Sequence, residues 1–186
     1  MIHILTGIAK SGKTTLARYI QQQFQISCFA TDYVMMMLHL GEPEESFDIW
    51  ASDSTVARHL EPYLNGLIET MLDHDETFLI EGVHFNTDFA RRLLDKHPNR
   101  IRIVYLGFKD ATVQDKVAEL NRHATAIPNR WYSHMSDEEF QHLIGYLVAE
   151  SHRVYKECQE LGLKYIEITD LMEQKEDIVH KLGIKK

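Results

Sequence analysis

The segment Gly7-Ile8-Ala9-Lys10-Ser11-Gly12-Lys13-Thr14 constrains this chain more than any other. It has the G-x-x-x-x-G-K-[ST] spacing, which binds phosphate when it links a buried strand to a helix. Both flanks fit. Ile2-His3-Ile4-Leu5-Thr6 ahead of it reads as a buried strand, and Leu16, Ala17, Ile20 and Phe24 behind it fall on one face of a helix. Gly7 and Gly12 let the backbone curl, so that N–H groups converge on a β-phosphate and the helix N-terminus adds its dipole. Lys10, Ser11 and Thr15 complete the lining. Lys13 is placed to reach the β- and γ-phosphates, and the Thr14 hydroxyl to ligate Mg²⁺. The expected ligand is a nucleoside triphosphate, ATP with Mg²⁺.

The remaining chemistry should lie at the carboxyl ends of strands, where ligands sit in open parallel sheets. Five apolar runs read as strands: Ile2 to Thr6, Ile26 to Ala30, Thr77 to Glu81, Ile101 to Leu106 and Tyr165 to Ile168. Helical periodicity fills the gaps. It shows in Val56, Leu60, Leu64, Leu67 and Met71, in Phe89, Leu93 and Leu94, and in Val113, Val117 and Leu120. The longest pattern runs from Phe140 to Cys158, and Leu171 to Leu182 closes the chain. Strands alternating with helices predict parallel crossovers and a sheet covered on both faces. With 186 residues, one α/β domain is expected over 1–186.

Asp32 follows the second strand, where a carboxylate can accept or align an acceptor hydroxyl; capping the next helix is its plainer role. Glu81 ends the third strand before Gly82, placed to hold a metal-bound water or polarise the acceptor. His84 either donates to a substrate oxyanion or begins a loop. Arg58 and Arg91 are helix arginines that fit a substrate anion or an ordinary surface. The last strand ends in Glu167-Ile168-Thr169-Asp170, whose following loop could flank an adenine. The basic, aromatic stretch from Asn121 to Met135, with Arg122 and Arg130, reads as a solvated loop or as a lid closing over phosphates.

Net charge is −8, which disfavours a nucleic-acid polymer as partner. No apolar run approaches the ~20 residues of a membrane span. Cys28 and Cys158 have neither metal-ligand spacing nor the look of a disulfide framework. A cytoplasmic monomer or homodimer with a small-molecule partner is expected.

The loop Gly7 to Thr15, Asp32, the Glu81-Gly82 strand end and the Arg122/Arg130 stretch fall in the order seen in P-loop small-molecule kinases related to nucleoside monophosphate kinases. The chain resembles gluconate, shikimate and chloramphenicol kinases. Ile80-Glu81-Gly82-Val83-His84 is also similar to a segment of 2-phosphoglycerate kinases, and the overall plan resembles zeta-toxin-like kinases. The resemblance implies a three-layer α/β fold with a five-stranded parallel sheet in order 2-3-1-4-5. It also implies a substrate-binding helical section over about 33–75 and an arginine lid over about 121–135. The activity it implies is transfer of the ATP γ-phosphate to a hydroxyl. Lys13, Asp32, Glu81 and Arg130 would be catalytic; Arg122 would contact the nucleotide; Asp32, Arg58, His84 and Arg91 would contact the acceptor. Two departures stand out: the Pro-bearing adenylate-kinase loop and the acid-x-acid pair of shikimate kinases are absent, since Tyr33 and Val34 follow Asp32. Alternatives are a nucleotide-dependent regulatory binder and a kinase of nucleotides or nucleic-acid ends. A GTPase switch is disfavoured, because no Asn-Lys-x-Asp motif occurs.

Overall fold

A computed structural model describes residues 1–41, 48–74, 76–122 and 134–185. Its strands are β1 (Ile2–Gly7), β2 (Ser27–Ala30), β3 (Phe78–Glu81), β4 (Ile101–Gly107) and β5 (Lys164–Glu167). All pair in parallel, in the order β2-β3-β1-β4-β5. The helices are α1 (Lys13–Phe24), α2 (Thr31–Gly41), α3 (Asp53–Asp73), α4 (Thr87–Lys96), α5 (Val113–Arg122), α6 (Asp137–Glu160) and α7 (Leu171–Lys181). The expected fold class and strand order are present. Much of the expected lid lies outside the described residues, Arg130 with it, as do residues 42–47 of the expected substrate-binding section.

The sheet is buried on both faces because its strands carry apolar side chains at successive positions. Ile2 and Ile4 of β1, Ile80 of β3, and Ile101, Ile103 and Tyr105 of β4 join a core with α2, α3, α4, α5 and α6. Leu5, Leu79, Val104 and Leu106 point the other way, onto Leu16, Ala17 and Ile20 of α1 and Ile178 and Val179 of α7. Leu60, Leu64 and Ile68 repeat at helical spacing along α3 and are wholly buried; each such side chain contributes about 1.5–3 kcal/mol.

Small shifts from expectation follow from hydrogen bonding. Ile26 and Thr77 precede the paired residues of β2 and β3, and Ile168 follows β5, although its N–H still donates to the Gly107 carbonyl. Helix α2 begins at Thr31, so Asp32 lies inside its first turn and not in front of it.

Parallel register sets the working edge. Glu81 pairs with Leu5 on one side and Ala30 on the other. The Gly7 loop, Thr31-Asp32 and the Gly82 turn therefore leave the sheet side by side.

Candidate active site

Gly7 lies against β4, and a Cβ there would collide with the Leu106 backbone, so the tight departure from β1 requires glycine. Gly12 stands at the N-cap of α1 in a left-handed conformation, with no capping side chain, and no acid occupies the first turn. The first N–H groups of α1 thus remain available to an anion. Ser11 and Lys13 are buried, Lys10 is half-buried, and Thr14 and Thr15 are exposed on the first turn.

The Lys13 ammonium crosses its own loop, donating to the carbonyls of Ile8 (2.6 Å) and Gly7 (3.3 Å) and to Ser11 Oγ (3.4 Å). Burial pushes its pKa down to about 8, against the opposing pull of Glu81, Asp53 and Asp32. Burial likewise brings Lys10 to about 8, assisted by Lys13.

Thr14 donates its hydroxyl to Glu81 Oε1 at 3.0 Å. Glu81 is buried, which raises its pKa, while Lys13 and Thr14 favour the charged form. Mg²⁺ is characteristically held by one or two protein oxygens, substrate phosphates and water. A hydroxyl and a carboxylate in contact beside a phosphate loop fit that requirement. Among the described residues no cluster of three or more His, Cys, Asp or Glu suits a metal by itself.

Asp32 is exposed, with Oδ1 3.9 Å from His84 Nδ1. His84 is buried, and its Nδ1 lies 2.7 Å from Thr31 Oγ1. Burial lowers its pKa to about 4, although Asp32 pulls the other way, so the ring is neutral at ordinary pH. Gly82 makes this meeting possible, since a Cβ there would overlap Thr31 Oγ1.

Beside Gly7 and Ile8 opens a narrow cleft that is continuous with solvent. Asp53 and Ser54 of α3, Asn86 and Thr87 at the start of α4, and Glu150, Arg153 and Glu157 of α6 supply its polar groups. Its apolar wall includes Tyr105, which donates its hydroxyl to the Phe85 carbonyl at 2.9 Å. Arg58 lines the outer continuation of the cleft, with its Nη2 3.3 Å from Ser54 Oγ. Arg91 pairs with Asp95 along α4 and does not line the cleft. Arg122 is exposed at the end of α5. Asp170 caps α7 by accepting from Met172 and Glu173, and Glu167 accepts the N–H groups of Lys109 and Asp110.

Sequence reasoning missed the α6 contribution. Glu150, Arg153 and Glu157 stand at i−3, i and i+4, a spacing that equally describes a solvated helix face. It also passed over Lys116, which is buried over the Phe108 ring with Nζ 2.9 Å from Glu119 Oε2.

No family model matches the chain, and no curated protein is similar to it in sequence. Solved structures are similar in shape. A shikimate kinase from Bacteroides thetaiotaomicron aligns with TM-score 0.60 at 12% identity, covering 99% of both chains. A tunicamycin resistance protein from Deinococcus radiodurans gives 0.59 at 17% identity, covering 99% of this chain and 96% of that one. A gluconokinase from Sinorhizobium meliloti 1021 gives 0.55 at 13%, covering 98% and 90%. The chain has the P-loop kinase fold. Within that fold the phosphate loop, the Thr14–Glu81 pair and Asp32 all stand at the carboxyl edge of the sheet.

Proposed function

We propose that this protein is an ATP-dependent kinase that transfers the γ-phosphate to a hydroxyl of a small molecule. The observation that carries the reading is one of placement. The Lys13 loop, the Thr14–Glu81 pair and the exposed Asp32 carboxylate leave adjacent strands, and a cleft opens against Gly7 and Ile8.

Phosphoryl transfer is mostly positioning and charge neutralisation. In this reading the loop N–H groups and the start of α1 hold the phosphates, and Lys13 exchanges its carbonyl partners for phosphate oxygens. Thr14 and Glu81 would hold Mg²⁺, which supplies charge neutralisation across the phosphates. Asp32 orients the acceptor hydroxyl and accepts its proton as the oxygen–phosphorus bond forms and the bond to the ADP oxygen breaks. His84, kept neutral, positions the Thr31-Asp32 turn. Arg122 and Arg130 are assigned to the phosphates by resemblance, and Arg58 to the acceptor.

The test is ADP release from Mg-ATP with and without hydroxylated compounds, together with detection of the phosphorylated product. Release should be slow alone and accelerated by an acceptor, and Lys13→Ala should abolish it. ATP binding with no acceleration by any compound would instead favour a regulatory nucleotide binder. Asp32→Asn should lose transfer while Mg-ATP affinity stays near wild type; Glu81→Gln should weaken productive Mg-ATP binding.

A further inference from the structure

The cleft beside the phosphate loop carries information about the acceptor, provided the protein is the kinase proposed above. Arg153 is the guanidinium in its inner part, and among the described residues it is already committed to two carboxylates. Its Nε donates to both oxygens of Glu150 (3.2 and 3.1 Å), and Nη2 donates to Glu150 Oε2 at 2.8 Å. Nη1 donates to Glu157 Oε1 at 2.5 Å, while Glu157 Oε2 accepts the Thr87 hydroxyl at 2.7 Å. All three side chains remain reachable, with exposures of 43% for Arg153, 26% for Glu150 and 33% for Glu157.

A carboxylate or phosphate on the acceptor would have to compete with both glutamates for Arg153, and the displaced glutamates would stay in the same cleft as like charges. Asp53 adds a third carboxylate to the inner lining. In the outer part Arg58 reaches Ser54, and the neighbouring Asp88 is paired with Arg92. Hydroxyls meet no such conflict. Each can donate to a glutamate oxygen and accept one of the guanidinium N–H groups that Glu150 and Glu157 leave over. Asn86, Thr87 and Ser54 extend the same donor–acceptor surface.

We propose that the Glu150–Arg153–Glu157 network makes the site select a polyhydroxylated acceptor that carries no anionic group. The structural neighbours named for shikimate and gluconate act on carboxylates, so this chain would differ from them in its cleft while sharing their fold.

The experiment uses matched pairs: D-glucose and D-glucosamine against D-gluconate, and an uncharged cyclitol against shikimate. Binding is measured by calorimetry to the full chain loaded with Mg²⁺ and a non-hydrolysable ATP analogue, and ADP release is measured with ATP. The expected result is that the uncharged or amino member of a pair binds at least about tenfold tighter than its carboxylate partner. The Glu150→Gln/Glu157→Gln protein should move that ratio toward the carboxylate by roughly tenfold, because Arg153 then lacks its counter-charges. Glu150→Gln alone serves if the double variant does not fold. Tighter binding of gluconate or shikimate by the wild type, lost on Arg58→Ala, would overturn the proposal by assigning acid recognition to Arg58. Equal binding of both members, or binding of neither, also overturns it. The kinase reading is judged separately, by whether any bound compound accelerates ADP release.

Discussion

At the scale of single residues, burial weakens the hold of Lys13 on its proton. With the Lys13 pKa near 8, the ammonium is mostly protonated below that pH and increasingly neutral above it. Nucleotide phosphates favour the protonated form, so above pH 8 binding must draw in a proton. Nucleotide affinity should be flat below about pH 8 and then fall by up to about tenfold per pH unit, as calorimetry across pH 6.5–9.5 would show. Lys13→Arg should push the fall to higher pH; a pH-independent affinity would remove Lys13 from the phosphate. His84 carries the opposite sign. Its pKa is about 4 folded against 6.5 unfolded, so the unfolded chain binds the extra proton. The resulting stability is fully present above pH 6.5 and lost as pH falls toward 4, about 3 kcal/mol in all. Urea unfolding at pH 7 and pH 4.5 should show this difference, and His84→Asn should flatten it. At Gly82, a Cβ would strike the hydroxyl that pairs with His84. Gly82→Ala should therefore destabilise the fold by about 1–3 kcal/mol, read from the urea midpoint, and reduce transfer by displacing Asp32.

At the scale of elements, each end of a helix has its own chemistry. Helix α6 begins with a capping box in which Ser136 and Glu139 satisfy each other's backbone N–H groups. Ser136→Ala should lower stability by about 1 kcal/mol, measured by denaturant midpoint. Helix α1 begins without such a cap, which leaves its first N–H groups open to the phosphates of the proposed reaction. The start of α1 was legible in the sequence, because Gly-Lys-Thr after a strand is a local pattern. Glu81 was legible too: an acid closing an apolar strand before glycine is conspicuous. Arg153 was not. Its meaning depends on which face of α6 looks across at Thr87, and that is decided by how α6 crosses the sheet, 66 residues further along the chain. Arg58 and Arg91 show the same difficulty from the other side. Both are helix arginines of equal appearance, and packing alone puts Arg58 at the cleft and Arg91 on Asp95.

For the whole molecule, alternating strands and helices were readable from apolar runs and helical spacing, whereas the strand order came only from the resemblance to P-loop kinases. The cleft was not readable, because α3, the β3–α4 turn and α6 each give only a few residues to it. The sheet also divides the interior into two cores with no buried residue in common, one under α1 and α7 and one under α2 to α6. Nucleotide phosphates would grip the start of α1, on one side, and the acceptor would lie among α3, α4 and α6, on the other. A single molecule joining ATP to an acceptor would then act as a rivet through two layers otherwise joined by the sheet. Hydrogen exchange should slow at Ile178 to Lys181, the far end of α7, when such a conjugate binds, and slow less when the acceptor binds alone. The far end of α7 would then report on a reaction taking place at the carboxyl edge of the sheet.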